Sequence, residues 1–183
     1  SGNAATEVSV TGIFFDTTVP ADFTVGSVIT TGGTVTAGKW NSTNTGINVT
    51  VPLPNDATLV DGTLLIRANV ASGGYEDLGS AQTISDGEQG TSKTVSFNAA
   101  TFEALSSGIS DGESILFTAI LTDKAGNATT GTQSGTSIAF DQSVPAFSSL
   151  SPSSNSSVKV ADVGYTLSAV SYTHLRAHET ADN

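Results

Sequence analysis

Cysteine and methionine are both absent from the 183 residues. Without cysteine there is no disulfide framework and no thiolate metal site. With no methionine even at position 1, the chain reads as an internal fragment whose targeting signal lies elsewhere, and no signal peptide appears in it. No apolar run approaches the roughly eighteen residues of a membrane-spanning helix, so direct membrane contact is not expected. Basic residues are scarce, six against seventeen acidic ones, for a net charge of -11. That balance disfavours nucleic acid and anionic lipid as partners. It suits a well-solvated extracellular protein, and divalent cations are the partner such a surface can recruit.

Aromatic residues make up only 7% of the chain; Thr, Ser, Gly, Val and Ala dominate, and helix-forming Glu/Lys/Leu blocks are missing. This composition favours strands. Period-two alternation predicts them over 23–30, 46–53, 63–71, 91–98, 113–122 and 128–140, with a weaker edge strand over 75–84. In 63–71, Leu64, Ile66, Ala68 and Val70 share one face; in 113–122, Ile115, Phe117, Ala119 and Leu121 do. Asn98 is placed to cap a helical turn across 99–105. Asp61-Gly62, Asp86-Gly87 and Asp111-Gly112 mark turns, with glycine expected to supply the positive φ. About seven strands with no long helix between them predict an all-β, two-sheet sandwich of immunoglobulin-like type.

The chain also repeats itself. Gly2-Asn3-Ala4 leads to Phe15-Asp16-Thr17-Thr18-Val19-Pro20, and Gly126-Asn127-Ala128 leads to Phe140-Asp141-Gln142-Ser143-Val144-Pro145. The offset is 124 residues at the glycines and 125 at the aspartates, which is the period of one domain in a tandem array. The expected organisation is therefore the last strand of a preceding repeat over 1–15, a complete repeat over 16–145, the start of a following one over 146–169 with a strand over 163–167, and a foreign tail over 170–183. That tail holds both histidines. His174 and His178 could share a helical face, but the glutamate of the zinc-protease signatures is missing. Val170–Thr180 instead resembles a translated adapter from transposon-based sequencing libraries, which would leave both histidines without a role.

Thr122-Asp123-Lys124-Ala125-Gly126-Asn127, followed by a strand ending in Phe140-Asp141 and by Val144-Pro145, resembles the bacterial immunoglobulin-like repeats of very large secreted adhesins and other surface proteins. So does Leu150-Ser151-Pro152 leading to Val163-Gly164-Tyr165-Thr166-Leu167-Ser168. The resemblance implies a rod-like array on the bacterial cell surface, with neighbouring repeats of the same chain as partners and contacts to surface glycans or proteins made through other domains. Some members stiffen their junctions with calcium held by aspartates at the domain ends. The matching positions are Asp123 in the hairpin and Asp141 in the linker at one junction. Asp16 is the linker copy at the other.

Calcium takes six to eight oxygens, which two or three carboxylates and linker carbonyls could supply; the plainer alternative is that Asp123 forms an Asx turn and Asp141 ends a strand. Asp86-Gly87-Glu88 and Asp111-Gly112-Glu113 are acid pairs, but each sits in a turn, whereas glycoside hydrolysis needs carboxylates facing across a cleft. No serine finds a histidine once the tail is discounted, so no Ser-His-Asp set assembles. The lone tryptophan, Trp40, is either core or an exposed platform on which a sugar could stack. Four Asn-x-Ser/Thr patterns, at Asn41, Asn48, Asn127 and Asn155, are expected by chance in so Thr- and Ser-rich a chain. The sequence therefore points to a non-enzymatic stalk repeat of an extracellular adhesin-like protein, with calcium-stiffened junctions as one of the two readings of its aspartates. The other reading is a carbohydrate-binding accessory module of a secreted polysaccharide-degrading enzyme, with Trp40 as its ligand residue.

Overall fold

The computed structural model describes residues 15–105, 108–144, 146–151 and 164–167. The expectations for 1–14, for Pro145 and for the tail with His174 and His178 lie outside these residues. The protein is an all-β sandwich of two sheets, antiparallel except where β2 runs parallel to β10. One is three-stranded, in the order β1 (Val28–Thr31), β3 (Gly46–Pro52), β7 (Ser92–Asn98). The other runs β2 (Lys39–Trp40), β10 (Ile138–Phe140), β8 (Ser114–Thr122), β4 (Thr63–Val70), β5 (Tyr75–Asp77). Two further pieces attach to it: β6 (Gln82–Thr83) on β4 and β9 (Ala128–Thr130) on β8. A separate two-stranded sheet pairs β11 (Phe147–Ser151) with β12 (Gly164–Leu167).

The longest pairing is β4 with β8, continuous from Thr63↔Thr122 to Val70↔Ile115. Its alternation is the one visible in the sequence: Leu64, Ile66, Ala68 and Val70 of β4 and Ile115, Phe117, Ala119 and Leu121 of β8 are all buried. Ile47, Val49 and Val51 of β3 and Val95 and Phe97 of β7 face them from the other sheet. The pleat puts alternate residues on one face, so a one-residue slip would expose the whole row. Asn98 caps the helix α1 (Ala99–Glu103), its side chain accepting from the Thr101 N–H at 2.8 Å, as the sequence predicts. A 3₁₀ turn, Ala57–Leu59, opens the same way from Asp56, whose carboxylate accepts the Thr58 N–H.

The strands at the margins are more broken than alternation suggests, and each break has a local cause. The segment expected as one strand over 23–30 changes sheets. Thr24 bridges Thr132 in parallel, the Gly26 N–H then reaches Thr50 O at 2.8 Å, and only Val28–Thr31 joins β3. A Cβ on Gly26 would lie 2.9 Å from Thr50 O; the crossing has no room for a side chain. The expected edge strand over 75–84 splits into β5 and β6 because Leu78 turns into the core and Gly79 follows at φ +69°, against the Phe97 ring. The expected strand over 128–140 splits into β9 and β10. Between them the buried Ser134 hydroxyl donates to Thr136 O and accepts the Phe117 N–H. Sequence patterning missed β2 altogether, since two residues give no period. At Asp61-Gly62 the expected roles are exchanged: Asp61 itself takes φ 62°, while Gly62 is required for space, 2.3 Å separating its would-be Cβ from Thr122 O.

The core is a single cluster bounded by Phe23 and Phe140. At its centre Trp40 lies 4.6 Å from Phe102 between ring centroids, and Phe102 stacks on Phe117 at 6.3 Å. The helical turn α1 is therefore structural: it delivers Phe102 between a tryptophan and the middle of β8. Close-packed interiors relax only partly around a deletion, so Phe117→Ala is expected to cost about 3–5 kcal/mol of unfolding free energy, read from urea denaturation. A loss below about 1 kcal/mol would mean that Phe117 is not a central packing residue.

Candidate functional site: the two ends of the sandwich

The distinctive polar chemistry lies where the chain joins and leaves the sandwich, and the two places are at opposite ends. β8 fixes this. Its last residue, Thr122, pairs with Ala128 beside the incoming segment, while its first, Ser114, pairs with Ala139 beside the outgoing one.

At the N-terminal end the hairpin 123–127 closes on itself. The Asp123 N–H donates to Asn127 O at 2.9 Å; in return the Asn127 N–H donates to Asp123 Oδ1 at 2.8 Å and the Asn127 amide to Asp123 Oδ2 at 2.9 Å. The same amide nitrogen reaches Asp16 O at 3.1 Å, and the Thr129 hydroxyl donates to Pro20 O at 2.5 Å. Asn127 and Thr129 thus hold the incoming segment 16–20 against the hairpin. Asp16's own carboxylate accepts the Thr18 N–H at 3.0 Å.

Asp123 is only 3% exposed. Burial alone pushes its pKa up, but hydrogen bonds from the Asn127 side chain and from the Asn127, Gly126 and Ala125 N–H groups outweigh that and hold it below the usual aspartate value. Hydrogen bonding to the charged form is the cause.

At the C-terminal end the Asp141 N–H donates to Trp40 O at 2.8 Å. Asp111 Oδ1 accepts the N–H groups of Gln142 at 2.6 Å and Ser143 at 3.3 Å. Hydrogen bonding from the Ser143 side chain, then from the Gln142 N–H, keeps the Asp111 carboxyl below its ordinary range. Glu103 Oε1 accepts both the Gln142 amide, at 2.6 Å, and the Trp40 indole N–H, at 3.0 Å. Trp40 is fully buried. Its indole joins the core to the outgoing segment and offers no face for stacking on a sugar, so the exposed-platform reading of this residue is corrected.

The aspartates singled out in the sequence are therefore not grouped as expected. Asp123 shares its end with Asp16, not with Asp141, because the hairpin follows β8 at the end where the chain comes in. No three His, Asp or Glu side chains converge among the described residues. The groups facing Asp123 are N–H donors, the wrong polarity for a cation, and both carboxylate oxygens already accept from Asn127. Asp123's carboxylate is thus taken up by the hairpin itself, and no metal ion enters the function proposed below.

Asp111, which patterning marks only as a turn residue and half of an acid pair, is the side chain that ties down the outgoing backbone. Ile-Ser-Asp-Gly-Glu occurs twice, at 84–88 and 109–113. In both copies glutamate closes the turn on the serine N–H, Glu88 on Ser85 at 2.7 Å and Glu113 on Ser110 at 2.6 Å. In the second copy the aspartate binds the outgoing segment. The glutamates of the two acid pairs therefore build turns. A groove of about 240 Å³ does run along the edge strand β7, lined by Gln82 and residues 93–97. Its one charged group, Lys93, is paired with Glu88 at 2.6 Å.

No protein-family model matches this chain, and no curated protein matches it. Among the described residues no helix is long and apolar enough to cross a membrane.

Asp123 has a lower pKa folded than unfolded, so its hydrogen bonds stabilise the protein above the unfolded value of about 3.9 and are lost as pH falls through the folded value. Asp123→Ala is expected to cost about 1–3 kcal/mol at pH 7, the range for orphaned buried partners. Denaturation curves at pH 7 and pH 3 should show the gap to the unsubstituted protein narrowing in acid. An equal gap at both pH values would mean that the ionised carboxylate is not what the hairpin depends on.

Proposed function

We propose that this chain is a structural spacer: one whole immunoglobulin-like repeat, with parts of its neighbours, from the stalk of an extracellular bacterial adhesin-like protein. The observation that carries this reading is that the chain joins and leaves the sandwich at opposite ends, each connecting segment tied to the sandwich by side-chain hydrogen bonds. Such a module transmits position and tension along its length and needs no reactive centre. Further support comes from the strand order. β1-β3-β7 against β10-β8-β4 follows the A-B-E and G-F-C orders of immunoglobulin-type sandwiches. The antiparallel pairing of β11 with β12 after Asp141 parallels that of β1 with β3 after Asp16. The duplicated Asp-x-x-Val-Pro segment then falls at two successive junctions.

The test is a series of chains in which residues 16–140 are repeated in place once, twice and three times. Small-angle scattering should give a maximum dimension that rises by a constant increment per copy. Dimensions that grow as for a flexible chain, or copies that collapse on one another, would count against a stalk.

A further inference from the structure

We infer that each linker of the array is clamped from both sides at once, by hydrogen bonds from the module before it and the module after it, forming a junction of fixed geometry that requires no metal ion. This rests on the repeat reading above. The structure holds two copies of the linker, each seen against a different neighbour. Asp16-Thr17-Thr18-Val19-Pro20 is seen against the module that follows it, and Asp141-Gln142-Ser143-Val144 against the module that precedes it.

The two sets of contacts use different groups of the linker. To the preceding module the linker gives N–H groups: its first residue to Trp40 O, and its second and third to Asp111 Oδ1, at 2.8, 2.6 and 3.3 Å. The second residue, where it is Gln142, adds its side-chain amide to Glu103 at 2.6 Å. To the following module it gives carbonyls: its first residue to the Asn127 amide at 3.1 Å and its fifth to the Thr129 hydroxyl at 2.5 Å. Donors face back and acceptors face forward, so one linker can satisfy both neighbours together.

A single group is contested. The third N–H, at Thr18, closes on the linker's own aspartate, whereas at Ser143 it makes the longest of the Asp111 contacts. Losing that bond leaves two backbone bonds on the upstream side. The partner that fits the outgoing segment Asp141–Val144 is thus the next copy's Asp-x-Ala-Gly-Asn-Ala-Thr hairpin, whose asparagine meets the linker's first carbonyl. That contact is also the reason the hairpin needs asparagine there: a single amide nitrogen donates to its own Asp123 and to the incoming linker.

The experiment uses this chain with residues 16–140 duplicated in place; the core of the described residues lies between Phe23 and Phe140, so each copy carries all of it. The absence of native cysteine allows Ser80→Cys in both copies to carry spin labels, and the distance distribution between them is measured by double electron–electron resonance. One narrow peak is expected, unchanged by EDTA. The peak should be lost with Asn127→Ala or Thr129→Val in the downstream copy alone, and with Asp111→Ala in the upstream copy alone. A broad distribution in the unsubstituted chain, a narrow peak that survives all three substitutions, or one that EDTA abolishes would each overturn the clamp. Unfolding curves separate this from the repeat reading. Two folded copies with a broad distribution overturn the clamp only, while a second copy that fails to fold overturns both.

Discussion

The pairing of β4 with β8 is the constraint from which the other features follow. Its unbroken register sets a row of buried Leu, Ile, Ala and Val on one face and so decides which sheet face meets β3 and β7. It also places the ends of β8 at the two ends of the molecule. Asp123 is the residue after Thr122, and Asp111 lies on the turn just before Ser114, so the two carboxylates that organise the connecting segments are held apart by a rigid strand. Side chains that never meet are held at a fixed separation by the backbone between them.

The strands of the centre were legible in the sequence because burial on one face imposes a period of two, and β3, β4, β7 and β8 bury one face each. The helical turn was legible for a different reason: Asn98 offers a side-chain acceptor where the β-branched residues give way to Ala and Phe. The margins were not legible. Where the chain changes sheets at Gly26, or dips at Leu78 and Ser134, the cause is a contact with a residue far away in sequence, and no local pattern records it. Trp40 shows the same limit. A two-residue strand, a buried indole and a bond to Glu103, 63 residues away, leave no local trace.

The candidate site divided along the same line. Asp16, Asp123 and Asp141 could be picked out because they recur or sit in a recognisable hairpin, yet which of them share an end depends on strand direction. Asp111 was hidden by its resemblance to an ordinary Asp-Gly turn. Its distinction from Asp86 is the neighbour it meets: an outgoing backbone with two free N–H groups. In both clasps carboxylates act as acceptors for amide donors, which is a use of negative charge that needs no counter-ion and no cysteine chemistry. A protein with a large acidic excess can in this way fold its acids into its own scaffold.

The parallel contacts at the margin bear on what happens under load. Residues 23–25 run beside 131–133, and β2 beside β10, each in the same direction as its partner. Tension applied between Pro20 and Asp141 draws one member of each pair toward the N-terminal end and the other toward the C-terminal end. The strands are then sheared lengthwise, and their hydrogen bonds must stretch together instead of opening one after another as in a peeled hairpin. The first and last segments of the module, which look like its loosest parts, are the ones that bear the pull.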